Sequence, residues 1–237
     1  MAKNTNNQSK QKVRLAPPDA AVLFTVVDPM SHVSEQFRTI RTNILYSSLD
    51  SKTQSIIVTS SGPSEGKSTT SANLAVAFAQ SGMKTLLVDA DLRRPTVHRT
   101  FDLDNTKGLS SLLSIRRTSL SDVIQDSEIR NLDLMTSGPI SPNPSELLAS
   151  SRMKKVVSIL KSEYDFIIFD VPPVGSVTDA QLIASQVDGA LLVIKEGQTE
   201  KAGLEHAVKL IEQVDSKVLG AVYMGEMDSA NYGYYYQ

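Results

Sequence analysis

Apolar and polar positions follow two rhythms along the 237-residue chain. Short, nearly continuous apolar runs, several rich in β-branched residues, occur at 55–59, 85–89, 132–135, 166–169, 190–194 and 218–223. Runs this short and this uniformly apolar predict strands whose sheet is covered on both faces. Between them, windows at 67–81, 146–160, 180–186 and 200–214 predict helices, with Gly82 marking the end of the first. Ahead of the first strand, Phe37, Ile40, Ile44 and Leu45 recur at helical spacing and predict a helix over 34–47 with Ser34 as N-cap. Its other face carries Glu35, Arg38 and Arg41. Alternation of strand and helix gives the fold class: α/β, a doubly wound, mostly parallel sheet with helices on both faces and right-handed crossovers.

The two ends depart from this pattern. Residues 1–18 contain Lys3, Lys10, Lys12 and Arg14, no acid, many Asn and Gln, and the Pro17-Pro18 pair. Such a segment cannot bury enough apolar surface to order itself, so residues 1–30 are expected to form a mobile arm and 31–228 a single domain. The remainder, 229–237, is expected to be a flexible tail; Tyr232, Tyr234, Tyr235 and Tyr236 are four of the chain's seven tyrosines.

Composition narrows the possible chemistry. The formal charge is −2, from 24 Lys+Arg against 26 Asp+Glu, so there is no global basic field and nucleic acid is not expected as a partner. The absence of cysteine removes disulfides, thiol nucleophiles and thiolate metal sites, and is compatible with a reducing compartment, the cytosol being the simplest. No apolar run approaches the roughly 18 residues needed to span a bilayer, so work at a membrane would require something else to bring the chain there. His32, His98 and His206 show no metal-ligand spacing and read as ordinary surface or capping residues.

The strongest chemical signal follows the first strand. Ser61-Gly-Pro-Ser-Glu-Gly-Lys-Ser-Thr69 carries the Gly-Lys-Ser end of a phosphate-binding loop, placed between a strand and a helix as that loop must be. Such loops curl backbone N–H groups around phosphates, with a lysine on the β- and γ-phosphates and a hydroxyl on Mg²⁺. Gly66, Lys67 and Ser68 fit these roles, and Gly62, Ser64, Glu65 and Thr69 complete the expected ATP-binding segment. The pattern also asks for glycine at 61, where this chain has serine. Asp89 and Asp91 lie at the carboxyl end of the second strand and Asp170 at that of another, where open α/β sheets bind ligands. Ser68, Asp91 and Asp170 are therefore the expected oxygen set for Mg²⁺, with Asp170 acting through water. Asp89 is the expected base for a hydroxyl acceptor, although one member of the Asp89/Asp91 pair could instead cap a helix or pair with Arg93.

Together, Gly66-Lys67-Ser68, Asp89-x-Asp91-x-Arg93 and Asp170-x-Pro172-Pro173 resemble the bacterial tyrosine kinases, whose catalytic domain is of the P-loop ATPase type. Glu35-x-x-Arg38-x-x-Arg41, the segment 136–148 and the terminal tyrosines add to the resemblance. It implies a cytoplasmic protein-tyrosine kinase of the Gram-positive arrangement, using ATP and Mg²⁺ and recruited to the inner face of the membrane by a separate transmembrane activator. It further implies a ring-shaped homo-oligomer formed through Glu35, Arg38 and Arg41, with Tyr232, Tyr234, Tyr235 and Tyr236 phosphorylated in trans. Other protein tyrosine substrates, a cognate tyrosine phosphatase and a role in exopolysaccharide or capsule synthesis and export complete the picture. Without the resemblance, the helix face at 35–41 would read as a solvated surface with weak ion pairs, and the tyrosines as an adhesive tail.

Two other readings are weighed. Positioning or partitioning ATPases carry an extra lysine near the start of the loop, where this chain has Gly62, and bind DNA or lipid. A nucleotide-dependent adaptor would not need the full set Lys67, Asp89, Asp91 and Asp170. At the end of the last strand, Met224 stands where related ATPases often have an asparagine that reads adenine.

Overall fold

In the computed structural model, residues 20–47 and 52–225 are described. Seven strands form one sheet: β1 (Ser55–Ser60), β2 (Thr85–Asp89), β3 (Ile124–Asp126), β4 (Leu132–Met135), β5 (Phe166–Asp170), β6 (Gly189–Lys195) and β7 (Val218–Met224). Their order is β3-β4-β2-β5-β1-β6-β7, with every neighbouring pair parallel except β3 against β4. From β1 the chain crosses β5 to reach β2, whereas β6 and β7 lie on the other side of β1, so the strand order changes direction beside β1. The carboxyl ends at such a switch point border a crevice where ligands bind.

The uniformly apolar runs are explained by two cores. Ile56 and Val58 of β1 point into one and Ile57 into the other, and the inner strands repeat this alternation. The first core is roofed by α2 (His32–Tyr46) and α3 (Lys67–Gln80), where Phe78 stacks on Phe166 with ring centroids 3.7 Å apart. The second is covered by α5 (Leu109–Ser114), α6 (Pro144–Ala149), α7 (Ser151–Glu163), α8 (Asp179–Ala184) and α9 (Lys201–Glu212). No helix among the described residues is long and apolar enough to cross a membrane.

Several local expectations change. Residues 20–30, assigned to the arm on composition, are folded onto the domain: α1 (Phe24–Val27) is tied to α3 by Asn73, whose Oδ1 accepts from Thr25 N and Oγ1, each at 3.0 Å. The cap of α2 is Ser31, which accepts from Ser34 N at 3.2 Å; Ser34 itself is buried and donates to Asp28 O at 2.6 Å. The single helix expected over 146–160 is broken at Ser150, whose extended backbone (ψ 151°) ends α6 and whose hydroxyl caps α7 by accepting from Met153 N. α1, α4 (Val97–Thr100), α5 and the antiparallel β3 have too few residues to show a period. Residues 1–19 and Tyr232, Tyr234, Tyr235 and Tyr236 lie outside the described residues.

Candidate active site

β1 delivers the phosphate loop to the amino end of α3. Gly66, with φ +96°, caps that helix in a left-handed conformation, and a Cβ there would meet Met224 at 3.4 Å. Ser64 is also left-handed, with φ 61°, a costly conformation for a residue with a Cβ. Ser61, which replaces the usual glycine, donates from Oγ to both oxygens of Glu65 at 2.9 and 3.1 Å. Gly62 N donates to the same carboxylate at 2.9 Å. Glu65 is thus a buried internal tie of the loop, and its neighbours Ser64, Gly66, Lys67, Ser68 and Thr69 line the cavity above.

The cavity has a volume of about 890 Å³ and opens beyond the carboxyl ends of the strands. At its floor Lys67 Nζ lies 3.1 Å from Asp91 Oδ2, 3.3 Å from Ser68 Oγ and 3.9 Å from Asp170 Oδ1. Burial alone would lower the lysine's pKa, but Asp170 and Asp91 outweigh it and raise the value, so the ammonium stays charged. Asp170 is fully buried and accepts from Ser71 Oγ at 3.1 Å; burial pushes its carboxyl up and Lys67 pulls it back. Its Oδ2 is buried with no hydrogen-bond partner among the described residues. An orphaned carboxylate oxygen close to a serine hydroxyl is the hard oxygen environment that Mg²⁺ takes, with water filling its other positions.

Asp89 is placed differently from the expectation. Its Oδ2 accepts from Thr96 N and Val97 N, both at 3.0 Å, and so caps α4; the side chain is fully buried and does not line the cavity. Asp91, expected on the metal, lines the cavity, with Oδ1 accepting from Arg94 N at 2.9 Å. Strand alternation would put positions two apart on one face; the pair diverges because β2 ends at Asp89 and the chain turns before Asp91. Burial and then the charge of Asp170 push Asp89 up to about 8. A raised carboxyl pKa contributes stability that is fully present below the unfolded value and is lost as pH rises through the folded one. With metal chelated, this contribution to the melting temperature is therefore expected to fall from about pH 4 to about pH 8 and to level off above, and Asp89→Asn to flatten that fall; thermal denaturation across the range checks it.

Arg93 pairs with neither of these aspartates through its side chain. Its Nε and Nη2 donate to Asp179 at 2.7 and 3.1 Å, and Ser145 Oγ donates to the same carboxylate at 2.7 Å. This fully buried carboxylate ties the loop after β2 to the starts of α6 and α8. It lies 86 residues from Arg93, so sequence reading missed it. Ser145, in the first turn of α6, which begins at Pro144, serves this cluster. The far wall of the cavity is the segment Gly138, Pro139 and Ile140 with His98, Arg94 and Arg99. On α2, Arg38 pairs with Glu35 at 2.6 Å, the local ion pair that a solvated helix face would show, whereas Arg41 donates to Ala77 O of α3 at 3.0 Å.

The family model described as AAA domain matches residues 53–222. Tyrosine-protein kinase YwqD of Bacillus subtilis (strain 168) is 48% identical over 215 residues, 90% of each chain. The chain belongs to the bacterial tyrosine-protein kinases. The putative tyrosine-protein kinase CapB of Staphylococcus aureus is 42% identical over 228 residues, covering 96% of this chain and 97% of that one. Among solved structures, the chimerical protein CapA2B2 superposes with a TM-score of 0.83 at 44% identity, over 87% of this chain and 90% of the other. Membership of this tyrosine kinase family agrees with the seven-stranded, mostly parallel sheet and with the phosphate loop at its switch point.

Proposed function

We propose that this chain is an ATP-dependent protein-tyrosine kinase that phosphorylates Tyr232, Tyr234, Tyr235 and Tyr236 of a neighbouring copy and regulates exopolysaccharide or capsule synthesis and export. The observation that carries the reading is Lys67, a charged lysine held between Asp91 and Asp170 at the floor of the phosphate-loop cavity. Kinship with chains named for tyrosine kinase activity and with CapB supports tyrosine as the acceptor and capsule synthesis as the process. Glu35, Arg38 and Arg41 are proposed as the contact of a ring-shaped homo-oligomer, and a transmembrane activator as what brings the chain to the inner face of the membrane. A cognate tyrosine phosphatase and further protein substrates belong to the same proposal.

Phosphoryl transfer needs positioning and charge neutralisation more than covalent help. The loop amides and Lys67 would hold the β- and γ-phosphates of ATP. Ser68 and Asp170 would hold Mg²⁺, which neutralises charge on the transferred group. A tyrosine hydroxyl with a pKa near 10 is protonated at neutral pH, so its proton must pass to a carboxylate as the bond forms. The cavity-facing position of Asp91 supports it as that acceptor in place of Asp89, whose carboxylate caps α4.

The test is incubation of the purified chain with Mg²⁺ and γ-labelled ATP, with and without an activator peptide, followed by mass-spectrometric mapping. Phosphate is expected on the residues 232–236. Changing all four tyrosines to Phe is expected to remove self-labelling while sparing transfer to another protein. Steady ATP hydrolysis with no phosphoprotein under either condition would favour a positioning ATPase.

A further inference from the structure

The phosphate loop lacks its first glycine, and its path is held from outside by a turn that no motif marks. Between β6 and α9, residues 195–199 lay three side chains on three consecutive loop positions. Gln198 Nε2 donates to Pro63 O at 2.7 Å, Lys195 Nζ to Ser64 O at 3.3 Å, and Thr199 Oγ1 to Glu65 Oε1 at 2.5 Å. The turn is itself fixed: Gly197 is left-handed with φ +67°, Thr199 N donates to Lys195 O at 2.9 Å, and Lys195 N donates to Thr199 Oγ1 at 2.9 Å. Glu196 N donates to Met224 O at 2.9 Å, which anchors the end of β7, where Met224 lies against Gly66.

These contacts fall where the loop is costly to hold. Ser64 carries a left-handed backbone without being glycine, a state that persists only when its surroundings over-determine it. Glu65, 2% exposed, ties Ser61 and Gly62 to the turn through one carboxylate. Without the Thr199 hydroxyl, a buried charged oxygen would lose its shortest contact, which is more costly than losing a solvated hydrogen bond.

We propose that the turn 195–199 is a positioning clamp for the nucleotide site, in which Thr199 through Glu65, with Gln198 and Lys195, sets the curvature of a loop that begins with serine. The clamp rests on the reading of the loop as an ATP site and adds the residues that shape it from behind. None of the three is a catalytic residue.

The test is titration of the purified full chain with a fluorescent ADP in the presence of Mg²⁺, alongside thermal melting without nucleotide. Thr199→Val, close in shape, is expected to weaken ADP binding about tenfold. Thr199→Ser, which keeps the hydroxyl, is expected to restore binding to within about twofold of the wild type. Gln198→Ala, at an exposed position that leaves the core intact, is expected to weaken binding two- to threefold, a small effect of about one neutral hydrogen bond. Wild-type affinity in both Thr199→Val and Gln198→Ala would overturn the clamp while leaving the ATP site standing. Equal losses in Thr199→Val and Thr199→Ser that track a fall in melting temperature would also overturn it, because a merely structural role predicts that pattern. Failure of the wild type to bind ADP would remove the ATP reading and the clamp with it.

Discussion

Lys67→Met is expected to reduce phosphoryl transfer to tyrosine by on the order of 10²- to 10³-fold, the scale of losing one preorganised donor to developing charge. The substitution keeps much of the length of the side chain and removes the cation. Arg93 cannot take its place, because it is engaged by Asp179 and Ser145. The same change carries a stability signature. Lys67 is the cation next to Asp91 and Asp170, at 3.1 and 3.9 Å, and its loss leaves both carboxylates facing each other's charge in a buried setting. Breaking a buried pair by removing one partner costs about 3 to 5 kcal/mol, so the nucleotide-free variant should melt well below the wild type. Labelling from γ-labelled ATP, performed below the variant's melting temperature, separates the two effects. Retained labelling in a folded variant would overturn the assignment of the site.

Local patterns made parts of this site legible. Asp89, Asp91 and Asp170 follow apolar runs that can only be inner strands, so their place at the carboxyl ends needs no tertiary knowledge. Gly66, Lys67 and Ser68 are adjacent, and the strand before and the helix after them fix their geometry. What remained hidden depends on partners far along the chain. The loop's serine looked like a defect until Glu65 appeared as its acceptor, and Thr199, 134 residues away, as a third donor to that carboxylate after Ser61 and Gly62. The roles of Asp89 and Asp91 could not be assigned from the sequence, because the deciding contact is with Thr96 and Val97, at the start of a four-residue helix too short to show in a hydrophobic pattern. Composition placed residues 20–30 in the arm because nothing local reveals that Asn73, itself buried in α3, needs Thr25 as a donor.

Asp170→Asn is expected to abolish transfer to a similar degree but to move stability in the opposite direction. Asp170 and Asp89 are register partners on adjacent strands and both are fully buried. Burial pushes each carboxyl up, with the charge of Asp170 adding to the rise of Asp89 and that of Asp91 to the rise of Asp170, so a charge on Asp170 opposes folding and is offset by Lys67. An amide of the same shape keeps an acceptor for Ser71 Oγ and removes one charge, while Lys67 retains Asp91 at 3.1 Å. A relief of about 1 kcal/mol would raise the melting temperature of the nucleotide-free chain by roughly 2 to 4 °C for a domain of this size. The further stabilisation that Mg²⁺ and nucleotide give the wild type should shrink in the variant, because the oxygen proposed to face the metal loses its charge. A variant that melts lower than the wild type would show that Asp170 is held by structure rather than against it. Opposite shifts from Lys67→Met and Asp170→Asn, with activity lost in both, would locate the excess negative charge at the ends of β2 and β5, where a chain that binds ATP through Mg²⁺ has reason to keep it.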